Sequence, residues 1–430
     1  MKKIAFKLLV PSLLILAFPA LRADDAGATN AAPPAPAPEK KLAFVQTISV
    51  TSPPYCSDIN GDTTISISAP GMKTADVKCW KQGPGFGTDS TVGTMTLDDQ
   101  GKGSIVFHAN DYPHGPITVR ILGTSDTTRD NCNLQLYNKG GVSWNEGIPK
   151  SDPPAADGMK LIFADDFNKP LSISGKDNSA TYYSHKVPNG TQDFSSLRFS
   201  DLESPQNPFL QVDSYLRIRA DAALNSAGLI SSIKNDDSGV KANLPCYFEC
   251  RFIAPSAPGT WPAFWLLTDY MHDVNEGKPV TSMPVDELDI IEAVGGDGPG
   301  SPNGTGEAKY KDLYQITPHA WNQPNNAALA DAAYKDMHDP ISMSKAGVPS
   351  SWFESFHTYG CKITDTDTIY YLDNIEVARH KTLPASKKYP LFFIINLATG
   401  GGWPVNLSRY NGLADMYVDF VRVYGDPSTN

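Results

Sequence analysis

Short apolar runs, each closed by a turn signal, fill this chain almost from end to end, and they admit little besides packed sheets. In the first half they are Phe44–Val50, Thr63–Ile67, Val77–Trp80, Thr94–Leu97, Ser104–Phe107, Ile117–Leu122 and Asn133–Tyr137, parted by turns such as Asn60-Gly61 and Asp99-Gln100-Gly101. In the second half they lengthen: Tyr215–Ala220, Tyr247–Ile253, Ala263–Leu267, Glu287–Ala293, Thr368–Leu372, Leu391–Ala398 and Met416–Tyr424. Helical spacing shows only at Ala327–Met337. The 430 residues include 34 Gly and 35 Pro, with 10% aromatic and only 19% charged side chains. That balance is too apolar for a disordered chain and too poor in charge for long exposed helices. The expected class is all-β.

Two Pro-rich seams divide the chain. Residues 24–40 are Ala- and Pro-rich without periodicity and read as an extended linker. The segment 149–157, within Ile148-Pro-Lys-Ser-Asp-Pro-Pro-Ala-Ala-Asp157, reads as a second linker. Between them, residues 41–148 suggest a small immunoglobulin-like β-sandwich without a catalytic constellation. Residues 158–430 suggest two large antiparallel sheets packed face to face. Ahead of both, Lys2, Lys3 and Lys7 precede the apolar run Leu8–Leu21 and the small residue Ala23. This order is that of a cleavable signal peptide over 1–23, so a secreted or periplasmic protein is expected, with no membrane contact in the mature form. Pro11 and Pro19 interrupt the run, which is too short to span a bilayer comfortably.

Charge narrows the partners. Residues 1–23 hold four basic and no acidic side chains, so their removal takes the formal charge from −11 to −15. A phosphate backbone would be repelled, no Lys/Arg run offsets this, and nucleic acid is excluded as an expectation. A neutral polymer fits best, and a monomer is expected. Of the six cysteines, Cys56, Cys79 and Cys132 fall in one half and Cys246, Cys250 and Cys361 in the other. An odd number in each half leaves a free thiol apiece or a bridge between halves. Cys246 and Cys250 are too far apart along one strand to bridge each other. No Cys/His spacing suits zinc.

Chemistry concentrates in Val285-Asp-Glu-Leu-Asp-Ile-Ile-Glu-Ala293. Glu287 and Asp289 are two apart and share a strand face, with Leu288 on the other. Glu292 would fall on the wrong face of a regular strand, but one β-bulge at Ile290–Ile291 returns it to theirs. Three carboxylates in a row suit cleavage of a glycosidic bond, which needs one ionised carboxylate to attack and one protonated carboxyl to donate. Crowding them raises at least one pKa and so supplies the protonated member. Asp289, in the middle, is placed to hydrogen-bond Glu287. Nearby, Gly259-Thr-Trp-Pro-Ala-Phe-Trp-Leu-Leu267 sets Trp261 and Trp265 on one face and Phe264 on the other, a candidate stacking platform for sugar rings.

These residues resemble glycoside hydrolase family 16. The matching blocks are Phe163-Ala-Asp-Asp-Phe-Asn168, Tyr247-Phe-Glu-Cys-Arg251, GTWPAFWLL, ELDIIE, Phe356-His-Thr-Tyr-Gly360, Ile369-Tyr-Tyr-Leu-Asp373, Asn396-Leu-Ala-Thr-Gly-Gly-Gly-Trp-Pro404 and Val418-Asp-Phe-Val-Arg-Val-Tyr424. The resemblance implies a concanavalin A-like β-jelly-roll with its cleft on the concave face, and retaining hydrolysis of internal β-glycosidic links. It implies that Glu287 is the nucleophile, Asp289 its supporting carboxylate and Glu292 the acid/base. Trp261, Trp265 and Trp403 would line the sugar cleft, and His319 would border the catalytic row. Asp419 falls where many members hold a structural calcium; no other cofactor is implied.

The bulged six-residue motif resembles laminarinases and several galactanases, so β-1,3-glucan leads among neutral β-linked polysaccharides. Departures are Ile291 where laminarinases often carry Met, Leu229 where many carry Arg, and a long loop between Glu292 and His319. Loops decide which sugar fits, so hydrolysis of an agar- or carrageenan-type galactan and transglycosylation stand as alternatives. A non-catalytic glucan-binding protein is a further alternative, opposed by retention of both glutamates. No GxSxG elbow or HExxH motif is present.

Overall fold

The computed structural model describes residues 42–81, 89–141, 144–188, 194–279, 283–295, 313–322 and 340–426. The expected signal peptide, the first linker and the helix expected at Ala327–Met337 lie outside them. Among the described residues the one α-helix is the short Met271–Asn275, and strands dominate. All-β architecture is what turn-punctuated alternation dictates when few helix formers are present.

From Lys160 onward the strands build a nearly closed jelly-roll of two faces. One face runs, neighbour by neighbour, through Tyr182–Tyr183, Ser226–Ser231, Leu391–Thr399, Thr260–Thr268, Val285–Glu292 and Leu313–Trp321. The other is organised on the long strand Leu413–Gly425, which is flanked by Tyr215–Asp221 and Lys160–Asp165 on one edge and Cys246–Ile253 on the other. His357–Ile363, Asp367–Leu372 and Ile375–Lys381 continue that face. Alternation sends Phe264, Leu266, Leu288, Phe393 and Ile395 of the first face inward against Phe248, Cys250, Phe252, Val421 and Val423 of the second. That filled interior is the core, and burial of such side chains is worth about 1.5–3 kcal/mol each.

Residues 43–138 form a six-stranded and a three-stranded sheet around Ile65, Ile67, Val77, Phe107, Val119, Ile121 and Leu134. No described strand pair links them to the jelly-roll, yet polar side chains cross between the two. Arg409 donates to Asp130 at 2.8 Å, Asn133 to Ser256 at 2.6 Å and Gln135 to the Asp415 carbonyl at 2.8 Å. Arg120 pairs with Glu354, and Tyr137 donates to Asp213. The second Pro-rich seam also lies against the jelly-roll, where Ala155 and Ala156 pack on Tyr247 and Tyr424. Of the six cysteines, Cys79, Cys132, Cys246, Cys250 and Cys361 are buried and Cys56 is half-buried.

Candidate active site

The strand Val285–Glu292 carries the acidic row, and its local geometry follows from the bulge. Opposite Thr260–Thr268, Ile291 faces Phe264 while Asp289 faces Trp265, so Ile290 is the extra residue. On the other side Asp289 faces Thr317 and Glu292 faces Gln315. Ile290 and Ile291 both enter the core, which returns Glu292 to the face of Glu287 and Asp289. Two consecutive apolar side chains between carboxylates therefore encode the bulge: burying both is possible only if the strand gains a residue.

Each carboxylate meets a partner on the adjoining strand. Trp321 Nε1 donates to Glu287 Oε2 at 3.0 Å, and Thr317 Oγ1 donates to Glu292 Oε2 at 2.8 Å. His319 Nε2 lies 3.5 Å from Asp289 Oδ2. Residues 317, 319 and 321 share one face by the same period of two that aligns 287 and 289. From the opposite side, Trp261 Nε1 donates to Glu292 Oε1 at 3.1 Å. Asp289 is 4% exposed, whereas Glu287 and Glu292 are half-buried.

Electrostatics differentiate the row. Burial pushes the Asp289 carboxyl well above the usual carboxylate range, the charges of Glu292 and Glu287 push it further, and Lys186 opposes them. Burial also raises Glu292, with Glu287 adding to the effect against the Thr317 and Trp261 hydrogen bonds. A carboxyl kept protonated near neutrality is what a general acid requires. Glu287, Asp289 and His319 bring ligand-type atoms within 4.8 Å of one another. A carboxyl held toward its neutral form is a poor metal ligand, so this grouping fits an acid row better than a cation cage.

The tryptophans divide. Trp261 stands beside the row, and the left-handed turn Gly400-Gly401-Gly402 brings the loop bearing half-buried Trp403 against it. A Cβ on Gly401 would meet Trp261 Cε3 at 2.6 Å, so glycine permits this approach. Trp265 departs from the expected open platform. It is only 5% exposed, donates Nε1 to Asn396 Oδ1 at 2.8 Å, and meets the edge of Phe194 at 5.9 Å between ring centroids. Lys186 Nζ lies 5.4 Å from its ring centroid. Trp265 is packed rather than open.

Asp419 lies on the long strand of the other face, apart from the row. Its Oδ2 accepts from the Arg251 guanidinium and from the Gly147 N–H at 2.8 Å, while Oδ1 is buried without a hydrogen-bond partner. With Oδ2 committed to a guanidinium and an N–H, Oδ1 is the one oxygen of this carboxylate left for the calcium suggested by the resemblance. Sequence reading also passed over Trp321, Thr317, Lys186 and Asn396. For Thr317 and Trp321 a signal was present, since stepping by two from His319 reaches both.

No family model matches the chain. Two curated relatives from Rhizobium meliloti (strain 1021) do. The endo-1,3-1,4-beta-glycanase ExsH is 28% identical over 181 residues, 41% of this chain and 30% of the relative. The endo-1,3-1,4-beta-glycanase EglC is 28% identical over 224 residues, 51% of this chain and 40% of the relative. The matches thus span less than half the length of either relative. Among solved structures, the endo-beta-1,3-glucanase from Pyrococcus furiosus aligns at 20% identity with a TM-score of 0.46, covering 64% of this chain and 98% of that one. SCLam, a non-specific endo-beta-1,3(4)-glucanase from family GH16, aligns at 19% identity with a TM-score of 0.43, covering 65% and 95%. The chain is similar to endo-acting β-glucanases, and its sequence motifs resemble those of glycoside hydrolase family 16.

Proposed function

We propose that this protein is an exported, endo-acting O-glycosyl hydrolase that cleaves a neutral β-glucan with retention of configuration, β-1,3-links being its substrate class. The observation that carries the reading is the division within one bulged row: Glu292 is held toward its protonated form, and Glu287 accepts an indole N–H. Glu292 gives its proton to the leaving glycosidic oxygen while Glu287 attacks the anomeric carbon to form a glycosyl-enzyme ester. Glu292, now ionised, takes a proton from water, which attacks the same carbon and frees Glu287. Asp289 stands between the two and keeps a second negative charge away from the nucleophile. The glucan class is supported by what the named relatives act on, 1,3-1,4-β-glycan and β-1,3-glucan.

Reducing-sugar release from laminarin, mixed-linkage glucan, agarose, carrageenan and xyloglucan tests this reading, with Glu287→Ser and Glu292→Gln run beside the wild type. Release from laminarin, lost in both variants, is expected. Release from agarose or carrageenan alone would replace glucan with galactan. A wild type inert on all five but retained on a laminarin affinity gel would favour a binding protein.

A further inference from the structure

Trp321 is 47% exposed, while Trp261 and Trp403 are half-buried and Trp265 is buried. It ends the strand beside the acidic row. Its backbone is fixed by pairing with Val285, and Asn322, in a left-handed conformation at φ 55°, donates to the Met283 carbonyl at 3.0 Å. The ring is fixed as well. The His319 imidazole stacks on it with centroids 4.7 Å apart and planes 19° apart, and Nε1 donates to Glu287 Oε2. One face of the indole is therefore backed by histidine and the N–H is spent on a carboxylate, while about half of the residue is exposed. A lone exposed tryptophan is unremarkable on a protein surface. One tethered by its N–H to a carboxylate of the acidic row has its ring oriented by that carboxylate.

We propose that Trp321 is a positioning residue for Glu287 and at the same time a sugar-stacking platform of the cleft, so that a β-linked sugar ring bound on it is set in register with the nucleophile. The proposal rests on the reading of Glu287 given above. A hydrogen bond to an ionised carboxylate is stronger than one between neutral groups, and it favours the ionised form. Glu287 needs that support. Asp289 and Glu292 face it from its own strand, His319 from the adjoining strand and Tyr270 from beyond Thr260–Thr268, and Lys186 acts on Asp289. The indole face meanwhile offers the apolar surface that the C–H face of a pyranose requires. The two roles separate chemically, because phenylalanine keeps a stacking face and lacks the N–H.

The test is steady-state kinetics of the full chain on laminarin, or on the polymer identified by the panel, with Trp321→Phe, Trp321→Ala and Glu287→Ser. Trp321→Phe should lower kcat roughly ten- to hundredfold with little change in KM. Trp321→Ala should show the same kcat loss, with KM raised about tenfold beyond that of Trp321→Phe. An unchanged kcat in both variants would overturn the positioning role; equal KM in both would overturn the platform. Glu287→Ser separates the two levels of failure. Full activity in that variant, or a wild type inert on every polymer, sinks the catalytic reading and this proposal with it. Loss in Glu287→Ser beside wild-type behaviour in both Trp321 variants sinks the proposal alone.

Discussion

Asp289 and Asp419 sit on opposite faces of the same jelly-roll, one 4% and the other 0% exposed, and burial raises the pKa of both. Their surroundings then diverge. At Asp419 the Arg251 guanidinium and the Gly147 N–H counter the effect of burial. At Asp289 the neighbouring carboxylates reinforce it, against Lys186. A buried acid whose partner is a cation joins two parts of the fold; a buried acid among other acids holds a proton. The sandwich spends the first kind on cohesion and the second on chemistry.

The comparison is broken most severely by exchanging what each face tolerates. Glu292→Gln should lower kcat by about 10²–10⁴-fold, the span typical of a lost general acid, while thermal unfolding stays near that of wild type. Arg251→Met should do the reverse. It leaves Asp419 buried and unpaired, so stability should fall by about 3–5 kcal/mol in chemical denaturation, with kcat of the surviving fold little changed. Adding Asp419→Asn to Arg251→Met should recover much of that loss.

A sharper form of the contrast is its dependence on pH. Asp289 has a folded pKa raised above its unfolded one, so the folded chain retains a proton that the unfolded chain releases. Its contribution to stability is complete below the ordinary carboxylate range and is lost as pH rises through the raised folded value. Asp289→Asn should therefore be more thermostable than wild type at neutral pH, with the gain vanishing in acid, and less active. The smallest effect is expected at Glu249, which is 2% exposed and has one oxygen, Oε1, without a hydrogen-bond partner. Burial pushes its pKa from 4.5 to about 7. Glu249→Gln should flatten the decline in melting temperature between those two values and leave kcat unchanged.

Much of the site was legible because a strand's period of two is rigid arithmetic. That rule places Glu287 and Asp289 together, demands a bulge before Glu292 and separates Trp261 and Trp265 from Phe264, and the structure shows all three. What the sequence leaves hidden is remote along the chain. Arg251 reaches Asp419 across 168 positions, and no local pattern announces such a pair. Trp265 is a candidate platform from its own strand alone, and Phe194 and Lys186, which pack against it, belong to a segment more than seventy positions earlier. Fold class follows from turns and alternation; what covers a given side chain depends on which distant segment crosses it.

The polar ties from Asp130, Asn133, Gln135 and Arg120 to the jelly-roll bear on how such a chain can be inherited. A module strung on a linker can be shuffled between genes without harm to its neighbour. Here recombination at the second seam would strip Arg409 of its carboxylate and Glu354 of its guanidinium, leaving orphaned charges in the daughter protein. The small sandwich and the jelly-roll are thus bound to diverge together, each substitution in one constraining which substitutions the other can accept.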